Sequence, residues 1–342
     1  MLKSLQKYYF FCIYQNFFVL LQPKIENKGA FTAKQMAKIG IFDSGYGGLT
    51  ILEAIRKELP QYDYLYLGDN ARAPYGTHSF DVIYRYTLEA VKYLLDNDCA
   101  LVILACNTAS AKALRTIQQK DLPLINSQYQ SQGRKVNVLG VIRPTVEAVP
   151  SITKTGHVGI LATPATVSSE SYVLELEKLS VSQKDGLSAE RSVSETVCQR
   201  SGLVVTQQSC PLWVPLIEAG EHLDEGADYF VDKYLRELLS KDPQIDTLVL
   251  GCTHYPLLKA KIDKFLRDTE IPGFLDSAVQ TIAQGSLVAK SLADYLIRHP
   301  EYRTQLSINS SCTYLTTENA DRFSQSASLF LNSPIQAEHI DL

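Results

Sequence analysis

The sequence lacks a surplus of either charge. Its 33 Lys and Arg stand against 37 Asp and Glu, and a formal net charge of −4 supplies no positive field to hold a nucleic-acid backbone. It also lacks any Cys-x-x-Cys pair. The seven cysteines, at 12, 99, 106, 198, 210, 252 and 312, are scattered and odd in number, in a chain of 342 residues that has no need of staples. Reduced thiols in a cytoplasmic protein are the expectation, so that a special cysteine is special for its reactivity. No metal site is expected, because Cys252-x-His254 has no second ligand pair beside it in sequence. No dinucleotide turn is present either: "GYGG" (45–48) lacks the G-x-G-x-x-G spacing, and no lysine stands in a motif that would hold pyridoxal phosphate. Long apolar runs are missing too. "YYFFCIYQNFFVLL" (8–21) falls short of the ~20 residues a membrane helix needs, and "QPKIENKG" after it makes no convincing cleavage site. Methionine occurs only at 1 and 36, and "MAKIGIFDSG" runs straight into an apolar stretch. Residues 1–37 are therefore read as an N-terminal extension, disordered or an upstream mis-start, that stays outside the fold.

What is present is an alternation of strand and helix signals from 38 to 297. "KIGIFD", "YDYLYLGD", "ALVILAC", "NVLGVI", "HVGILAT", "TLVLGC" and "GFLD" read as strands. Several are apolar throughout, as strands covered on both faces of a parallel sheet must be. "GGLTILEAIRKELP" carries Leu49, Leu52, Ile55 and Leu59 at helical spacing and stops at Pro60. "SFDVIYRYTLEAVKYLLDND", with Ser79 as N-cap, "SAKALRTIQQ", "SESYVLELEKL", "EGADYFVDKYLRELLSK" and "LLKAKIDKFLRD" are the other helices. Repeated βα units imply parallel sheets with right-handed crossovers and a ligand site beyond the carboxyl ends of the strands. Two polar stretches, "SQYQSQGRK" (127–135) and 180–202, read as surface insertions.

The halves echo each other. "KIGIFDSGYGG" parallels "HVGILATPATV", and "LVILACNTASAKAL" parallels "TLVLGCTHYPLLKA" more closely. The expected fold is α/β, with two pseudo-symmetric doubly wound lobes, parallel central sheets and an active site in the cleft between them. Residues 38–137 with 276–300 would form the first lobe, 138–275 the second, and 301–342 a C-terminal tail packed on the first. That arrangement would bring Cys106 and Cys252 to opposite walls of one pocket.

Two cysteines at strand ends suit an uncommon task. A thiol beside the first backbone N–H groups of a helix is expected to have a lowered pKa. Inverting a chiral carbon needs a proton removed from one face and another delivered to the opposite face, which two fixed acid/base groups can do without moving. Asp43, ending the first strand, and His254, two residues after Cys252, are placed to tune the thiols. Backbone N–H groups of "DSGYGG" and "CNTAS", with the hydroxyls of Ser44, Thr108 and Thr253, could hold a carboxylate.

"IGIFDSGYGGLTIL", "YLGDNARAPYG", "VILACNTASA", "CPLWVPLIEAGE" and "LVLGCTHYPLL", in that order, resemble the glutamate racemases of the aspartate/glutamate racemase superfamily. The resemblance covers roughly 38–297 apart from the two insertions. It implies that Cys106 and Cys252 are the proton donor and acceptor of a cofactor-independent reaction, assisted by Asp43, His254 and Glu218. It further implies that Asp43, Ser44, Tyr75, Gly76, Asn107, Thr108, Thr163, Thr166, Thr253 and His254 bind L- or D-glutamate. Such enzymes supply D-glutamate for peptidoglycan and are usually homodimers, and some respond to a peptidoglycan precursor. No nucleic acid or membrane partner is expected. An aspartate racemase and a non-catalytic amino-acid-binding protein are the alternatives. Cys12, Cys99, Cys198, Cys210 and Cys312 are read as packing residues, and the histidines other than His254 as surface or satisfied ones.

Overall fold

The apolar runs fold as strands covered on both faces. In the computed structural model, which describes residues 36–131, 133–182, 202–268, 279–331 and 333–342, ten strands follow in chain order. They are β1 (Lys38–Asp43), β2 (Tyr64–Gly68), β3 (Cys99–Leu104), β4 (Asn137–Gly140), β5 (His157–Ala162), β6 (Val204–Ser209), β7 (Thr247–Gly251), β8 (Gln280–Ile282), β9 (Cys312–Thr316) and β10 (Ala337–His339). One sheet has the order β10-β9-β2-β1-β3-β4 and the other β6-β5-β7-β8, and every pairing is parallel. The four strands β2-β1-β3-β4 of the first sheet thus repeat the order of the second: β1 corresponds to β5 and β3 to β7. This is the two-lobed α/β arrangement that the sequence echo implied.

Side chains leave alternate faces of each strand, so each sheet separates two apolar layers. In the first lobe Ile39, Ile41, Leu101 and Ile103 enter one layer, while Phe42, Val102 and Leu104 enter the other. In the second, Leu161, Leu248 and Leu250 oppose Val158, Ile160 and Val249. A fully buried Leu or Ile contributes about 1.5–3 kcal/mol, so the strands that carry the site residues are among the most firmly held parts of the chain. The helices follow their amphipathic faces. Gly48–Glu58 buries Leu49, Leu52 and Ile55, and Phe80–Asp96 follows Ser79, which occupies the N-cap position without a side-chain cap bond.

The lobe boundaries differ from expectation in three places. "NVLGVI" was expected to open the second lobe, but β4 lies on the free edge of β3, with Leu101 opposite Asn137 and Leu104 opposite Gly140. Residues 276–300 were expected in the first lobe, yet β8 pairs with β7, and only the helix Gly285–Arg298 returns to pack on Gly48–Glu58. Of the expected extension, Met36 and Ala37 belong to the fold: Ala37 is buried, donates to the Gln305 carbonyl at 2.7 Å and accepts from Ser307 N at 2.8 Å. The expected insertion at 127–135 is partly helical, since Leu122–Gln130 runs into it and buries Tyr129 beneath the Arg134 guanidinium. The insertion at 180–202, the strand "GFLD", Cys12 and Cys198 lie wholly or mainly outside the described residues. Among the described residues no helix is long and apolar enough to cross a membrane.

Strands β9 and β10 extend the first sheet beyond β2, and Asp63 ties them down. It accepts from Ser311 N at 2.8 Å, Ser311 Oγ at 2.7 Å and Asn309 Nδ2 at 2.7 Å. Burial raises its pKa, but donors from Ser307, Ser311 and Asn309 outweigh that and hold it at about 2. A carboxylate with a depressed folded pKa stabilises above its unfolded value, near ~3.9, and loses that contribution as pH falls through the folded value. Asp63→Asn is expected to lower the urea midpoint at pH 7. The gap to the parent should close between about pH 4 and pH 2, as read from urea melts across that range.

Candidate active site

A doubly wound sheet with strand order 2-1-3-4 reverses direction between β1 and β3, and the crevice beyond those carboxyl ends is where such sheets hold ligands. Here β1 ends in Asp43 and β3 delivers Cys106, while in the second lobe β5 delivers Thr163 and β7 delivers Cys252. The two crevices meet. Thr108 Oγ1 lies 3.0 Å from Thr163 Oγ1, and Thr253 Oγ1 lies 3.5 Å from Asp43 Oδ1. Gly47 makes the closest approach: a Cβ there would lie 2.3 Å from Thr253 Oγ1 and 2.5 Å from His254 Nδ1.

In the first half-site Cys106 occupies the N-cap position of the helix Asn107–Lys112. Its sulfur accepts from Ala109 N at 3.5 Å and lies 3.3 Å from Ser44 Oγ. These contacts favour thiolate, as the sequence led one to expect, yet the outcome is the reverse. Burial and the neighbouring Asp43 carboxylate outweigh them and push the thiol up to about 12. The short helix offers one donor; the water-free setting costs the sulfur more than that donor returns. Asp43 is itself fully buried. It accepts from Gly45 N at 2.9 Å, and burial raises its pKa against the opposing charge of His254.

The second half-site is built differently. The helix expected directly after Cys252 is preceded by the short 3-10 turn Tyr255–Leu258, so a histidine side chain, not a helix terminus, faces the sulfur. His254 Nδ1 lies 3.9 Å from Cys252 Sγ, and its Nε2 lies 3.0 Å from Glu218 Oε1. Burial would lower the imidazole pKa, but Cys252 and Glu218 outweigh it and raise it to about 10, so His254 is a cation at neutral pH. Glu218 reaches in from the solvent edge, close to Gly45, where a Cβ would lie 3.1 Å from Oε1.

The other predicted residues cluster around these two centres. Thr108, Thr163 and Thr166 form a hydroxyl trio across the lobes, with spacings of 3.0, 3.1 and 3.4 Å. Gly76 lies against Thr163, with a hypothetical Cβ 3.1 Å from Thr163 Cβ. The Tyr75 hydroxyl is committed to Asp69, a buried carboxylate that also accepts from Arg72 Nε at 2.7 Å and Thr317 Oγ1 at 2.8 Å. Asn107 is buried and bonded to Tyr172 and Gln284. Asp69, Tyr172 and Gln284 escaped sequence reasoning: Asp69 lies within "YLGDNARAPYG" but acts through its neighbour Tyr75, and Tyr172 and Gln284 stand in stretches with no motif of their own. Among the described residues no group of three His, Cys, Asp or Glu is gathered as a metal site would require.

Comparison with known proteins follows the geometry. The model of the Asp/Glu/Hydantoin racemase family matches residues 49–284. A glutamate racemase of Ruegeria sp. (strain TM1040) is 39% identical over 310 residues, covering 88% of this chain and 98% of the relative. The glutamate racemase of Aquifex pyrophilus is 42% identical over 234 residues, 68% of this chain and 77% of the relative. Among solved structures, that of glutamate racemase from Francisella tularensis in complex with D-glutamate has a TM-score of 0.69 at 29% identity. The match covers 90% of this chain and 98% of that one.

If Glu218 holds the charge on His254, Glu218→Gln should lower the imidazole pKa from about 10. The expected fall is at least about one unit, since such an ion-pair hydrogen bond contributes on the order of 1.4 kcal/mol. An NMR titration of the ring carbons reads it, and an unchanged value would remove Glu218 from the arrangement.

Proposed function

The chain belongs to the Asp/Glu/Hydantoin racemase family and, within it, to the glutamate racemases; from that premise we propose that Cys106 and Cys252 stand on opposite faces of the glutamate α-carbon, one removing its proton and the other delivering a different one. The protein is an isomerase. The observation that supports the two-cysteine reading is the unlike surroundings of the sulfurs: Cys106 with a raised pKa beside Asp43, and Cys252 beside a cationic His254.

In one direction of the reaction Cys106 serves as the acid and Cys252, beside the His254 cation, as the base. Cys252 takes the α-proton, and the electron pair left on carbon spreads into the substrate carboxylate. That carboxylate is received by the hydroxyls of Thr108, Thr163 and Thr166 together with backbone N–H groups after Asp43 and Cys106. Cys106 then gives its proton to the opposite face. The charge now rests on Cys106, next to Asp43, the buried carboxyl that tunes that sulfur. Reversing the steps runs the other direction with the roles of the sulfurs exchanged, as microscopic reversibility requires. Ser44, Asn107, Thr253, Tyr75 and Gly76 shape the pocket around the glutamate side chain and amino group.

The same proposal places the enzyme in the cytoplasm, where both thiols stay reduced, as a homodimer supplying D-glutamate for peptidoglycan. A peptidoglycan precursor would act as effector. A hollow of about 700 Å³ bordered by Lys112 and Arg298, and by the ion pairs Arg115–Glu175 and Arg143–Glu147, is the candidate place for it.

The test is the purified chain in deuterated water with L-glutamate and no added cofactor. Loss of optical rotation with uptake of α-deuterium is expected. Cys106→Ala and Cys252→Ala should each reduce racemisation by at least about a thousandfold, the scale on which removal of an acid/base group acts. Full activity in either variant overturns the two-cysteine scheme, and faster turnover of L-aspartate than of L-glutamate overturns the substrate assignment.

A further inference from the structure

Three buried polar side chains close a ring, of which the mechanism above uses only Asn107. Asn107 Nδ2 donates to Gln284 Oε1 at 2.6 Å, Gln284 Nε2 donates to Tyr172 Oη at 2.8 Å, and Tyr172 Oη donates to Asn107 Oδ1 at 2.8 Å. Tyr172 is wholly buried, and Asn107 and Gln284 are each 2% exposed. The three residues come from three places: the helix after β3, the helix Ser171–Ser182, and the segment between β8 and Gly285–Arg298.

The direction of every bond in the ring is fixed from outside it. The Thr145 hydroxyl donates to the Val141 carbonyl at 3.0 Å, so its oxygen is free to accept from Gln284 Nε2 at 2.9 Å. The Val141 carbonyl, which can only accept, lies 3.4 Å from that same nitrogen. Gln284 must therefore turn its nitrogen towards Val141, Thr145 and Tyr172 and its oxygen towards Asn107. Asn107 in turn must show its NH₂ to Gln284 and its oxygen to Tyr172. A flipped Asn107 would set oxygen against oxygen on one side, at the cost of a buried unpaired group.

The ring also touches both cysteines' surroundings. Asn107 directly follows Cys106, and the Tyr172 ring abuts the residue before Cys252: a Cβ at Gly251 would lie 3.3 Å from Tyr172 Cε2. We propose that Tyr172 and Gln284 are positioning residues, which hold the Asn107 carboxamide in one of its two orientations and so set where its remaining N–H and lone pair meet the substrate. This rests on the reading of Asn107 as a glutamate-binding residue.

A double-mutant cycle separates positioning from mere support, because a residue that acts through Asn107 loses its effect once Asn107 is gone. The quantities are kcat and KM for L-glutamate by chiral analysis of product, for the full chain, Tyr172→Phe, Asn107→Ala and the double variant. Tyr172→Phe should lower kcat/KM about tenfold, mainly through KM, in line with one unpaired buried group. In the Asn107→Ala background the same change should cost less than about twofold. Equal losses in both backgrounds, or no loss in the parent, overturn the proposal. If circular dichroism shows Tyr172→Phe unfolded, Gln284→Met is measured in the same two backgrounds against the same outcomes. Absence of cofactor-free racemisation in the unsubstituted chain would instead count against the proposed function.

Discussion

The site exists because the chain comes very close to itself at Gly47. The backbone there is ordinary right-handed helix, so space rather than conformation demands the glycine: any side chain would strike Thr253 and His254 from the other lobe. This approach lets a carboxylate on β1 and an imidazole after β7 act on each other's charge. Asp43 is pushed up by burial and held back by His254, so its state could not be understood from its own lobe alone. Gly48 continues the same crowding, with a hypothetical Cβ only 2.4 Å from Asp43 Cβ. The turn between β1 and its helix is thus packed against the Asp43 carboxylate on one side and the opposite lobe on the other.

Within that seam, two near-copies of one strand-to-helix junction reach different electrostatic states. "CNTAS" allows a helix to begin at once, and Cys106 meets the Ala109 N–H and the Ser44 hydroxyl in a buried setting. "CTHYP" delays the helix with Pro256 and puts an imidazole beside the sulfur. The pseudo-symmetry supplies a cysteine at the matching strand end of each lobe, and the few residues that break it surround the two sulfurs with unlike groups.

Much of this was readable before any coordinates. The wholly apolar runs at β3 and β7 and the repeated strand-end cysteine identified the architecture, because fully buried parallel strands leave an unmistakable pattern. Other elements were hidden for physical reasons. In β6 only Val204 and Val205 are apolar, while Thr206 and Gln207 are buried nonetheless, and β10 is a three-residue edge strand with two exposed residues. The lobe boundary was misplaced at β4 because a parallel strand carries no local sign of which sheet it joins. The raised pKa of Cys106 could not be foreseen either, since it depends on Asp43 and on the exclusion of water, which only the packed structure supplies. The Asn107–Tyr172–Gln284 ring unites residues far apart in sequence, and no spacing rule points to it.

The central claim is geometric: two sulfurs, held in unlike surroundings, stand on opposite sides of one α-carbon. A crystal structure of the chain with bound D-glutamate tests it most directly. The account predicts Cys106 Sγ and Cys252 Sγ in van der Waals reach of the α-carbon from opposite faces, with the substrate carboxylate on the threonine hydroxyls. Both sulfurs on the same face, or either one walled off from the ligand, would contradict it.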